Sequence, residues 1–286
     1  MPNELETVHS SYREEVKEIG EFMLKLAESL LAAGGALIEK QWPPLAAEEK
    51  EALESLNGEE VVARAKELGL ESKLQEFRDG MGGLGGLADL LRSVIDLAES
   101  VNVPSRLIER LREFTKTLAQ MHYLSEMAIV YVVTLEEAFV CDYVRAILHV
   151  QPAMLRTEKE LTLTFDKACD IDSYQAFRNC LENAAIKPLS RGGIEEASSY
   201  FEKRLDVRLD EFPNWNEMKE VSYRRNIIVH NKGEVNETYR EKTGYNGPHG
   251  YLGINKPYIS NAVDVTIKFI DFVHERVSAV LRLHAQ

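Results

Sequence analysis

Arg225, Asn226 and His230 are the residues of this 286-residue chain whose types and spacing point to a reaction. They lie in the run Tyr223-Arg224-Arg225-Asn226-Ile227-Ile228-Val229-His230-Asn231-Lys232-Gly233. At roughly 100° per residue, a helix puts Asn226 and His230, spaced i, i+4, on one face, with Arg225 on its flank. A guanidinium grips phosphate oxygens bidentately. An imidazole takes and returns protons. Asn231, Lys232 and Gly233 read as a helix stop, and the carbonyl end of a helix attracts a protonated imidazole. A cationic fork, an amide and a proton-transfer group are the parts for phosphodiester chemistry without a metal. Arg224 reads as a solvated neighbour or a phosphate contact, and Lys232 as a second substrate-binding cation. Asn231 reads as a helix cap.

Arg225 and His230, with four residues between them and Asn226 after the Arg, resemble the R-x4-H motif of HEPN domains. That all-helical family is named for its occurrence in higher eukaryotes and prokaryotes. The run Arg225 to Gly233 looks like members found in bacterial conflict and phage-defence systems. Some toxin members carry a Tyr two residues after the His, where this chain has Lys232. The resemblance would cover roughly residues 115–286 and implies a HEPN-like helical bundle. It also implies a metal-independent endoribonuclease with RNA as partner and no cofactor, in a defence or toxin role. The 2′-OH would attack the adjacent phosphate, leaving a 2′,3′-cyclic phosphate and a 5′-OH. His230 would serve as general base or acid, Arg225 would stabilise the phosphorane, and Asn226 would orient the phosphate or the imidazole. Family members pair their motif helices, which implies a homodimer. The alternative is a HEPN-like module that binds a nucleotide or a protein without cutting.

Composition bounds these readings. The apolar share of 44% is that of a globular chain. The net charge of −13 argues against broad non-specific nucleic-acid binding. The acidity is uneven. Residues 1–115 hold 13 basic and 23 acidic side chains, and residues 116–286 hold 21 and 24. The sequence therefore divides into an acidic helical region, 1–115, left to a regulatory partner, and a nearly balanced domain, 116–286, that carries the motif. The acidic start lacks a signal peptide's basic end and apolar core. The most apolar run, Met127 to Leu135, is too short to span a bilayer. Cys141, Cys169 and Cys180 lack C-x-x-C spacing and fit reduced thiols, so a cytoplasmic location is expected. No cluster shows metal-ligand spacing in sequence.

The elements that must position the motif read as an all-α fold. Apolar residues recur at helical spacing from Glu4 to Glu39. Short helices are expected over Ala46–Leu56, Gly58–Leu68 and Leu70–Arg78. Gly80, Gly82 and Gly85 satisfy G-x-G-x-x-G on paper, but no strand precedes them, so the stretch reads as a helix-to-helix connection. Helices follow over Leu87–Glu99, Pro104–Leu118 and Met121–Val150, with His122 and His149 at the ends of the last as surface or core histidines. Glu158–Ala168 is expected to be helical, as is Tyr174–Ala185 with Asp172 as N-cap. Lys187–Gly193 reads as a loop and Ile194–Val207 as a helix. The motif helix is expected over Trp215–Asn231. Gly233–Lys256 is a long connection in which Tyr245, His249 and Tyr251 offer rings for stacking. Pro257 opens the last helix.

Overall fold

The computed structural model describes residues 2–41, 46–78, 83–152, 164–165, 169, 171–247 and 250–283. These residues form eleven α-helices, one 3-10 turn and no strand. In chain order the helices are α1 (Pro2–Gln41), α2 (Ala47–Glu54), α3 (Gly58–Glu67), α4 (Leu70–Arg78), α5 (Gly83–Ser100), α6 (Ser105–Val150), α7 (Tyr174–Ile186), α8 (Leu189–Leu205), α9 (Trp215–Asn231), α10 (Glu237–Thr243) and α11 (Lys256–Leu283). No described helix is long and apolar enough to cross a membrane.

The chain divides into two compact units, each assembled from separate stretches. Unit 1 takes residues 1–19, 131–222 and 261–286. Unit 2 takes residues 20–130 and 223–260. Each draws on residues from both sides of the charge boundary at 115/116.

In unit 1 the core is aromatic and branched. Phe139, Tyr143 and Ile147 of α6 are buried, with Phe201 of α8, Met218 of α9, and Phe269, Ile270, Val273 and Val277 of α11. Phe212 meets Phe269 edge-on at 5.5 Å between ring centres, a favoured aromatic geometry. The C-terminal carbonyls of α6 are satisfied from α7. Arg178 Nη2 donates to the carbonyls of Leu148 and His149 at 3.2 Å each, and its Nε donates to buried Glu182 at 2.9 Å.

In unit 2, Ile95 and Ala98 of α5 are buried with Ile108 of α6, and Val103 and Leu111 pack on them. A second cluster joins Ile227 of α9 to Val235 and to Tyr239 of α10, with Tyr223, Tyr245 and Leu252 around it. It fixes the motif segment to the chain that follows.

Several elements differ from expectation. The helices expected over 104–118 and 121–150 are one helix, Ser105–Val150, because Ala119 and Gln120 between them are good helix formers and no Gly or Pro intervenes. Ser173 rather than Asp172 caps α7, its hydroxyl accepting from Ala176 N–H at 3.1 Å. The expected loop 187–193 is largely helical. A break remains at Gly193, whose φ of 66° lies in the left-handed region that only glycine enters freely. The helix expected over Glu158–Ala168 lies almost wholly outside the described residues, as do Gly80, Gly82 and His249.

Candidate functional site

The motif sits on the last two turns of α9, on the part assigned to unit 2. Ile227 is buried at 3% exposure and anchors this stretch. Residues adjacent to Ile227 therefore point away from its cluster by the helical rotation. Arg225 and Asn226 are half-buried, and Val229 and His230 are exposed.

Arg225 Nη1 donates to Asn226 Oδ1 at 3.0 Å. Neighbours in a helix do not normally face each other, and the length of the Arg side chain closes this contact. The bond also fixes the amide. With Oδ1 occupied, Asn226 offers its NH2 as a donor beside the guanidinium. The flank of α9 therefore carries two kinds of N–H donor, as an anion requires. His230 follows Asn226 by one turn. Among the described residues its ring makes no hydrogen bond or ion pair.

Arg224 is not solvated. It is 8% exposed, and its guanidinium stacks over the Tyr258 ring at 4.6 Å and lies 5.8 Å from the Tyr239 ring. One residue of helical rotation separates it from Arg225 and turns it into the aromatic packing, where a cation gains from the ring faces. Its role is to tie α9 to α10 and the start of α11.

Lys232 is exposed and closes the helix in a strained conformation. Its φ is 54°, and that of Gly233 is 82°. Two left-handed residues in succession let Gly233 N–H reach back to Ile227 C=O at 2.9 Å. Asn231 is expected to cap the helix; its Nδ2 instead donates to Glu234 C=O at 2.7 Å, beyond the helix end, and braces the turn that follows.

The long connection folds back on the motif. Val235 N–H donates to Gly250 C=O at 3.0 Å, and Glu234 pairs with Tyr251 in an isolated antiparallel bridge. Asn236 caps α10 by accepting from Tyr239 N–H at 2.9 Å. Tyr245 packs edge-on against Tyr239 at 5.8 Å and against the Arg240 guanidinium, so its ring is already engaged.

Two residues of α6 border the motif: Glu126, which the sequence did not single out, and His122, expected as a surface or core histidine. His122 Nε2 lies 3.3 Å from Glu126 Oε1, and both side chains are 14% exposed. A Cβ on Gly233 would come within 3.0 Å of that Glu126 oxygen, and a Cβ on Gly85 within 2.9 Å of His122 Nε2. Gly85 therefore lets α5 close on the His122 ring, and Gly233 lets the end of α9 close on Glu126. Glu126 also belongs, with Glu234 and Asp89, to the carboxylates that push up the Tyr251 hydroxyl pKa, although burial is the larger cause. The i, i+4 spacing of His122 and Glu126 was the available signal.

Comparison with protein-family models, with curated proteins and with solved structures finds no match.

Proposed function

We propose that the chain is a metal-independent endoribonuclease of the HEPN type, acting at the end of α9. The observation that carries this reading is the Arg225–Asn226 hydrogen bond, which sets a guanidinium and an amide together one turn from an exposed His230. Arg225 and the Asn226 amide would receive the phosphate oxygens and the charge that develops on the phosphorane. His230 would take the 2′-OH proton or deliver one to the leaving 5′-oxygen. Lys232 adds an exposed cation beyond the helix end. Arg224 is a positioning residue in this reading, because its head is committed to Tyr258 and Tyr239.

One imidazole serves one of the two proton transfers. A homodimer through α9 would supply the second His230. Val229, 50% exposed beside His230, is the apolar surface such an interface would cover. A defence or toxin role follows from the motif's resemblance, and RNA would be the partner.

The test is incubation of the purified chain with total RNA in EDTA, followed by end-group analysis. The proposal requires cleavage that leaves 2′,3′-cyclic phosphate and 5′-OH ends. Activity that EDTA abolishes and a divalent ion restores would contradict it.

The acidic border of the motif favours a second reading. Glu126 and Glu234 lie against the helix end, where they repel a polyanion. A module that binds without cutting would tolerate His230→Ala in its binding assay, whereas the ribonuclease would lose its activity.

A further inference from the structure

We propose that Glu6, His9 and His274 in unit 1 form a binding site for one divalent transition-metal ion of the zinc class. Glu6 and His9 are spaced i, i+3 and share a face of α1. His274 comes from α11. One ligand atom from each of the three lies within 4.8 Å of the other two. His274 Nε2 is 3.0 Å from Glu6 Oε2, close to a ligand–ligand edge around an ion. The two rings stack at 4.2 Å, 20° from parallel.

The outer contacts separate this arrangement from a chance meeting of surface residues. His9 Nε2 is held by Asp271 Oδ1 at 2.7 Å. Arg13 Nε donates to both oxygens of that carboxylate, at 3.0 and 3.3 Å, and balances its charge. His274 Nδ1 lies 2.9 Å from the Tyr143 hydroxyl. Each ring thus commits one nitrogen to an outer partner, which leaves His9 Nδ1 and His274 Nε2 as the candidate ligand atoms; a turn of the stacked rings would bring both onto one ion. His9 Nδ1 is buried and has no hydrogen-bond partner. A buried ring nitrogen left in that state is costly, and an ion would satisfy it. A carboxylate behind a ligating imidazole is the usual way of fixing the tautomer and orientation of a metal-bound histidine.

The donor set selects the ion. Two imidazoles and one carboxylate suit zinc-class ions and leave a fourth position open. Bonds of about 2.0–2.2 Å would draw the three ligand atoms closer together. The Glu6 side chain is 62% exposed, so the site opens to solvent on that side. The local Glu-x-x-His pair offers only two ligands, and the third stands 265 residues further along the chain, so no local motif exposes the site.

The experiment uses the full chain, stripped with a chelator and desalted, then titrated with Co²⁺ alone and afterwards with Zn²⁺. The expected result is one equivalent of Co²⁺ with the d–d absorption of a four-coordinate nitrogen–oxygen site. No thiolate charge-transfer band should appear, and Zn²⁺ should displace the ion. Glu6→Gln and His274→Ala should remove binding, and Asp271→Asn should weaken it about tenfold to a hundredfold. His149→Gln, which alters the separate cluster with Glu4 and Glu182, should leave it unchanged. If His274→Ala loses its helical circular dichroism, Glu6→Gln decides the matter, because that side chain is exposed. No stoichiometric ion in the wild type, undiminished binding in Glu6→Gln, or thiolate bands from the cysteines would overturn the proposal.

Discussion

The end of α9 and the cluster on α1 and α11 use histidine in opposite ways. His230 stands in solvent with no hydrogen bond or ion pair among the described residues. His9 and His274 are largely enclosed, stacked on each other, and each is tied through one nitrogen to a side chain behind it. A proton-transfer group must be reached by its substrate and must be able to change its charge. A metal ligand needs a fixed tautomer and a fixed orientation. Exposure and outer partners therefore separate His230 from His9 and His274 as two chemical classes. On the two proposals, RNA chemistry would belong to unit 2 and ion binding to unit 1.

The largest effect that would sharpen this contrast is on catalysis. His230→Ala should lower RNA cleavage by at least about a hundredfold, the lower end of general acid–base contributions. Its melting temperature should stay near that of the wild type, since exposed substitutions usually cost under about 0.5 kcal/mol. An unfolded variant would give His230 a structural role and break the contrast. Arg225 is half-buried and bonded to Asn226, so Arg225→Ala should lose both activity and some stability. Arg225→Lys separates the two effects by keeping the charge without the planar fork.

Next in size is the contact that supports the motif. Gly85→Ala should destabilise the chain by about 1–3 kcal/mol, because the new methyl meets the His122 ring rather than a yielding chain end. Gly58→Ala is the control, since its Cβ would meet nothing within 4 Å, and it should be neutral or slightly stabilising. Thermal denaturation of the two variants side by side reads the difference. Equal melting temperatures would mean that α5 does not depend on close approach at Gly85.

The smallest effect concerns the helix stop. Lys232→Gly should stabilise the chain by no more than about 1 kcal/mol, because Gly adopts a φ of 54° without the steric penalty of an L side chain. Denaturant unfolding would show a raised midpoint with an unchanged slope. A fall in stability would mean that the Lys232 side chain contributes more than its strain costs.

The motif was legible because it is local. Six consecutive residues carry Arg225, Asn226 and His230, and the bounds of α9 follow from Asn214-Trp215 at one end and Lys232-Gly233 at the other. The all-α class was also legible from the recurrence of apolar residues along α1, α6 and α11. The inward turn of Arg224 was not, since adjacent cations look alike until the positions of Tyr239 and Tyr258 are known. The join of residues 104–118 to 121–150 was hidden by the polar step Lys116-Thr117, which breaks the apolar period without breaking the helix. The cluster of Glu6, His9 and His274 was illegible for the plainest reason: its parts meet only when the two ends of the chain pack side by side in unit 1.

The most direct test of the central claim is a parallel assay of RNA cleavage by the wild type, His230→Ala and Glu6→Gln, all chelator-stripped and held in EDTA. The account predicts equal cleavage by the wild type and Glu6→Gln, with 2′,3′-cyclic phosphate ends, and none by His230→Ala. Cleavage retained in His230→Ala but lost in Glu6→Gln would place the chemistry at the wrong histidine and contradict the account.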